Sequence, residues 1–180
     1  MTKLPKLTPR LKLIASLVPR GSTVADIGTD HAYIPIWLVN SGIAKHAIAS
    51  DKSIGPLKIA EENIKHYNCE DKIELRQGDG LAVLAQANEF NEGPGNVPAA
   101  GSADPNDGLH VIIGGMGGIL IAEILENGKE IAKSAERLIL QPMTAQSELR
   151  EYLTANGYTI IGEHVTREKE KFYYCLEVTP

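Results

Sequence analysis

Apolar residues recur in two rhythms along this chain, and the two rhythms take turns. Short, nearly continuous apolar runs at residues 24–27, 47–49, 73–75, 109–113 and 137–140 have the length of buried strands. Helical spacing marks residues 33–40, 53–67, 119–132 and 144–156. Thr8-Pro9 reads as an N-cap followed by proline at the first helical position. Leu11, Ile14, Leu17 and Val18 then repeat at helical spacing, so this segment is expected to pack with its basic residues outward. Residues 114–118 read as a turn, Thr144 as the cap of the last helix and Gly157 as its stop. Residues 158–166 and 171–178 are expected to be strands around the charged hairpin 167–170. Residues 86–108 break the rhythm with three prolines, four glycines and four asparagines, and read as a long, mobile loop inserted within one domain.

Five alternations of strand and helix, closed by two consecutive strands, imply an α/β domain. Its sheet should be doubly wound and mostly parallel, with an antiparallel hairpin at the end. A length of 180 residues suits one such domain. With 43% hydrophobic and 23% charged residues, the composition is that of an ordinary globular chain, not a disordered or collagen-like one. The most membrane-like stretch, 109–122, is too short to span and holds four glycines. No apolar segment with a cleavage site follows the basic N-terminus. A cytoplasmic monomer is expected. Cys69 and Cys175 belong to no CxxC motif and read as reduced structural thiols, and no cluster has zinc spacing, so no metal is expected. Residues 1–20 carry Lys3, Lys6, Arg10, Lys12 and Arg20 without one acid, although the whole chain is at −5. Such an arm is either a patch that meets phosphate or a solvated helix face.

Ligands of doubly wound sheets bind beyond the carboxyl ends of the strands, so the chemistry is sought there. The first strand runs into Asp26-Ile27-Gly28-Thr29-Asp30-His31. One glycine permits a tight turn, but a dinucleotide fingerprint needs two more, where this chain has Asp30 and Tyr33. A carboxylate at Asp30 opposes a pyrophosphate and suits a ligand with an amino-acid tail. Asp51 ends the second strand 23 residues past Gly28, a spacing that suits an acid gripping ribose hydroxyls. It also suits an ordinary acid at a helix N-terminus. Gly78-Asp79-Gly80 ends the third strand and offers an acceptor for an adenine amino group, though Asp-Gly is common turn chemistry. The glycines at 114–118 let a flat substrate approach the backbone. No Gly-Lys-Ser/Thr follows them, which excludes a P-loop.

These stations in this order resemble the S-adenosylmethionine site of Rossmann-like class I methyltransferases. The match narrows with Asp26-Ile27-Gly28-Thr29-Asp30-His31-Ala32-Tyr33-Ile34-Pro35, Ser50-Asp51-Lys52, Gly55-Pro56-Leu57 and residues 60–63. Gly78-Asp79-Gly80-Leu81, the run from Ile113 to Gly118, Leu138-Ile139-Leu140-Gln141-Pro142 and Glu170-Lys171-Phe172-Tyr173 extend it. With the opening helix at 7–17, the whole set resembles the bacterial tRNA (adenine(22)-N1)-methyltransferase family across nearly the full chain. The resemblance implies methyl transfer from S-adenosylmethionine to N1 of an adenine in the D-arm region of tRNA. It implies a cofactor site of Asp26, Gly28, Asp30, Asp51, Lys52, Asp79, Gly80, Gly114 and Met116, with Gly28 and Asp30 at the methionine end. Asp30, His31, Tyr33 and Gln141 are the candidates for the reacting end. His31 and Tyr33 either stack on a flipped base or serve as a cap and as core packing. Lys3, Lys6, Arg10 and Lys12 are the candidate tRNA contacts. The family usually continues into a helical C-terminal domain, which is expected to be absent from this chain ending at Pro180. The rival readings are a methyltransferase for another substrate, an NAD-dependent oxidoreductase and a non-catalytic binding module.

Overall fold

The structure, a computed structural model, describes residues 3–85 and 108–180. Seven strands form one sheet in the order β3-β2-β1-β4-β5-β7-β6. These are β1 (Ser22–Ile27), β2 (Ala44–Asp51), β3 (Ile73–Gln77), β4 (Leu109–Gly117), β5 (Arg137–Thr144), β6 (Thr159–Glu168) and β7 (Lys171–Thr179). The first five are parallel, and β7 runs antiparallel to both β5 and β6. The expected fold is therefore present, hairpin included.

Side chains alternate across a strand, so each central strand feeds two cores. Val24, Ala47, Ile112 and Ile139 face one layer, packed by α1 (Pro9–Ser16), α2 (Tyr33–Asn40) and α3 (Ile54–His66). Ala25, Ile48, Val111, Ile113 and Leu138 face the other. There α4 (Gly118–Asn127), α5 (Lys129–Ser134) and α6 (Gln146–Ala155) pack, with a short 3-10 turn at Gly80–Leu84. Strands buried on both faces read as unbroken apolar runs, which is why their positions were visible in the chain.

Several local expectations are corrected. The glycines at 114–117 extend β4 instead of ending it, because β5 continues beside them to the pair Gly117 and Thr144. The helix expected over 119–132 is two helices broken at Gly128, where a side chain would run into Leu81. Thr144 belongs to β5, and the cap of α6 is Ala145 at φ +53. The opening helix expected over 7–17 is shorter, Pro9–Ser16. The loop expected at 86–108 lies outside the described residues except for Gly108. Cys69 and Cys175 are free and buried, and burial pushes their thiols up to about 11 and about 12, as inert structural thiols require. No helix among the described residues is long and apolar enough to cross a membrane.

One buried ion pair sets the turn after β3. Arg76 grips Glu74 through Nε at 2.8 Å and Nη2 at 3.0 Å, and its Nη1 donates to the Val83 carbonyl at 2.7 Å. The Gly78-Asp79-Gly80 turn lies between these anchor points. Breaking a buried pair leaves an uncompensated charge, so Arg76→Met is expected to cost about 3–5 kcal/mol in urea unfolding. A loss below about 1 kcal/mol would show that the pair does not brace this turn.

Candidate active site

Past Ile27 the backbone enters an unusual path. Gly28, Asp30 and Ala32 all adopt left-handed conformations, at φ +73, +55 and +59. Such residues persist only where surrounding bonds over-determine them, and they cluster at functional sites. Here the amides of Gly28 and Thr29 both donate to the Ser50 carbonyl at 2.8 Å. The Thr29 hydroxyl donates to buried Asp26 at 2.7 Å, and Asn63 of α3 donates to the His31 carbonyl at 3.0 Å. The loop is thus tied to its own strand, to β2 and to α3. It delivers Asp30, His31 and Tyr33 to the rim of a cavity at the point where strand order reverses between β1 and β4.

That cavity, about 280 Å³, is lined by Asp26, Gly28, Asp30, His31, Tyr33, Gly114 and Gly115, with Arg10 on its wall and Leu11, Ile14 and Ile112 on its apolar side. His31 Nδ1 lies 3.3 Å from Asp30 Oδ2, and the His31 and Tyr33 rings stand 5.7 Å apart. The Asp26 carboxyl is pushed up to about 6 by its burial, a rise opposed by the Thr29 bond and reinforced by Asp51. A second cavity of about 110 Å³ is lined by Gly28, Asp51, Lys52, Asp79, Gly80 and Met116. Gly28 borders both, and a side chain there would collide with the Met116 methyl group. The missing Cβ at Gly28 is what lets Met116 lie across the divide.

The nine residues read as a cofactor site thus fall on these two neighbouring cavities: Asp26, Gly28, Asp30 and Gly114 on the first, and Asp51, Lys52, Asp79, Gly80 and Met116, together with Gly28, on the second. Asp51 lines the second cavity, and its Oδ1 accepts from the Ser53 amide at 2.8 Å, the bond expected of an acid at a helix N-terminus. Gln141 lines neither. It is buried behind the first cavity, where its Oε1 accepts from Arg10 Nη1 at 3.0 Å and from the Gly115 amide at 3.1 Å. Its Nε2 donates to the Pro142 carbonyl at 3.1 Å.

The basic arm is not one outward patch. Lys3, Lys6 and Lys12 are exposed, with Lys3 Nζ donating to His66 at 2.6 Å and standing over Tyr67. Arg10 instead turns inward. Its signal was in the chain, because it lies four residues before Ile14, the most buried branched side chain of α1, and therefore on the same face. Thr29 was also missed; its spacing of three from Asp26 was the available sign. Among the described residues no group of His, Cys, Asp or Glu is placed to hold a metal ion.

A doubly wound sheet with a strained first turn, and an acid on the rim after each of its first three strands, defines a Rossmann-like domain for a nucleoside-bearing ligand. The family model of the methyltransferase domain matches residues 7–176, and the chain belongs to that methyltransferase family. Over 95% of its length it is 38% identical to the tRNA (adenine(22)-N(1))-methyltransferase of Bacillus subtilis, of whose length it spans 64%. A Streptococcus pneumoniae structure in complex with S-adenosyl-L-methionine superposes with a TM-score of 0.81 at 37% identity, covering 97% of this chain and 73% of that one. An M. capricolum structure with S-adenosyl-homocysteine, described as its natural cofactor product, gives 0.78 at 29% identity, over 96% and 68%.

Gly28→Ala places a Cβ in a left-handed conformation against Met116. It is expected to cost about 1–3 kcal/mol in urea unfolding. An unchanged midpoint would mean that this turn relaxes freely and is not strained.

Proposed function

We propose that this chain transfers a methyl group from S-adenosylmethionine to N1 of an adenine in tRNA, at position 22 in the D-arm region. The observation that carries the reading is the set of three strand-end acids, Asp30, Asp51 and Asp79, disposed around two cavities that share Gly28. The relatives reported above support the choice of cofactor and of nucleic acid. The reading carries a cytoplasmic location, where tRNA is found.

The residues present fit this cofactor. Asp51 offers two acceptors for ribose hydroxyls and Asp79 an acceptor for the adenine amine, both on the smaller cavity. Asp26 and Asp30 on the larger one suit an ammonium group. Bound there, S-adenosylmethionine supplies an electrophilic methyl group. Adenine N1 carries a lone pair and needs no base to become nucleophilic, so the protein's work is alignment and exclusion of water. The methylated ring is cationic, and the acids of the larger cavity favour positive charge at that place. A base inside a folded RNA must leave its stack to be reached. Exposed Tyr33, with the His31 ring beside it, offers a face on which such a base stacks. Gln141 acts from behind, holding Arg10 and the Gly115 amide in position.

Calorimetric titration is expected to show micromolar binding of S-adenosylhomocysteine and none of NAD. Asp51→Ala is expected to weaken that binding by about 1–3 kcal/mol. Incubation with unmodified tRNA and S-adenosylmethionine should yield 1-methyladenosine by nucleoside mass spectrometry. Binding of NAD alone would overturn the cofactor, and 1-methyladenosine at another position would overturn the target.

A second expectation comes from Asp26. Its folded value of about 6 lies above the ordinary 3.8, so the ligand-free protein loses stability as pH rises through that window. The ammonium group of a bound amino-acid tail favours the ionised carboxylate, so affinity for S-adenosylhomocysteine should rise through about pH 6 and level off above it. Asp26→Asn should remove the step; a step that persists in that variant would overturn the assignment to Asp26.

A further inference from the structure

Met143 is an apolar side chain left 40% exposed at the carboxyl end of β5, and it lines neither cavity. Nothing in the cofactor reading uses it. The ladder between β4 and β5 fixes where it stands. Met116 pairs with Pro142 and Gly117 with Thr144, so Met143 falls beside the end of β4, on the strand farther from β1. One strand spacing, about 4.8 Å, separates the two backbones. The Met143 sulfur accepts from Gln141 Nε2 at 3.5 Å, and Oε1 of the same amide accepts from the Gly115 N–H at 3.1 Å. Met143 is thereby held on the side of the sheet where Gly115 opens onto the larger cavity.

The opposite wall of that opening comes from another strand. His31 and Tyr33 rise from the loop after β1, and Tyr33 is 37% exposed. Between β1 and β5 runs β4, whose end is bare: Gly114, Gly115 and Gly117 carry no side chain, and Gly115 is exposed. These parts form a slot with a backbone floor, an aromatic wall and a thioether wall. The cofactor's sulfur joins its adenosine to its amino-acid tail. A ligand with one part in each cavity therefore sets that sulfur at the divide, where Gly28 meets Met116. We propose that Met143 is the outer wall of the slot that takes the target adenine, packing its thioether against the ring across from His31 and Tyr33. The inference rests on the methyl-transfer reading and adds to it a residue that holds the base. A thioether is apolar, polarisable and suited to contact with an aromatic ring. It is also uncharged, which suits the reaction: the N1 lone pair takes the methyl group as the C–S bonding pair returns to sulfur, and the positive charge passes to the ring.

The test follows the base and the cofactor separately. A tRNA carrying 2-aminopurine at position 22 reports, by its fluorescence, the base leaving its stack, read with S-adenosylhomocysteine present and no turnover. Methyl transfer to the ordinary unmodified tRNA gives kcat and KM. Met143→Ala is expected to raise the protein concentration at half-signal and to lower kcat/KM, each by about 3- to 10-fold. Its S-adenosylhomocysteine affinity and urea midpoint should stay unchanged. Met143→Leu, apolar and of similar volume, should restore both losses. Met143→Lys should lower kcat by about 10-fold or more without raising KM, since a fixed cation beside the ring opposes the charge that develops there while it attracts phosphate. Full activity in Met143→Ala and Met143→Lys would overturn the proposal. So would a parallel loss of S-adenosylhomocysteine affinity or of stability in Met143→Ala, which would make Met143 a support for Gln141 instead. If the unaltered chain methylates no adenine in tRNA, the methyl-transfer reading itself fails, and the inference with it.

Discussion

The Ser50 carbonyl is the point on which the carboxyl end of this sheet depends. It accepts two successive amides, those of Gly28 and Thr29, at the place where β1 stops. Ser50 is itself buried and pairs with Ile27 across the β1–β2 ladder, so the acceptor cannot drift from the strand it serves. A backbone with three left-handed residues in five would otherwise relax toward ordinary turns. The Asp26–Thr29 and Asn63–His31 bonds close the remaining freedom from below and from the side. Because the loop is rigid, the residues on it can face a ligand without having to be ordered on binding, which is the physical meaning of preorganisation.

Buried charge occurs at both ends of the sheet, and the contrast between them separates structure from chemistry. At the amino end of β5, Arg137 pairs with Glu177 of β7, and His164 of β6 leans on the same carboxylate at 3.2 Å. Burial lowers the pKa of His110 nearby. Those groups fasten the antiparallel hairpin to the parallel strands. At the carboxyl end, acids line open cavities, Arg10 meets the Gln141 amide and the Tyr173 ring, and the backbone is bent. Backbone strain and open cavities coincide at that end.

The chain announced its architecture because strands buried on both faces must be apolar throughout, while the helices covering them need only one apolar face. Local errors fell where a neighbour overrode local preference. The glycines after Ile113 stay extended because β5 runs beside them, although glycine alone favours a turn. The helix after them breaks at Gly128 because Leu81 packs there. Ala145, a residue with no capping side chain, starts α6 because its left-handed turn fits the end of β5.

The acids at 30, 51 and 79 could be read from sequence because each follows its own strand closely, and strand ends in such a sheet share one rim. Arg10, Gln141 and Met116 could be named but not placed. Arg10 and Gln141 are 131 residues apart, and although Arg10 shares a helix face with Ile14, no local pattern tells what that face will meet. Their meeting follows from the strand order, which lays β4 and β5 side by side and seats α1 against the hairpin formed by β6 and β7. Apolar periodicity and the sterics of a few consecutive residues set the elements and the acids at their ends; long-range packing, which alone decides what each charge finds opposite it, turned an arm of basic residues into one inward arginine, with Arg20 and the three lysines exposed.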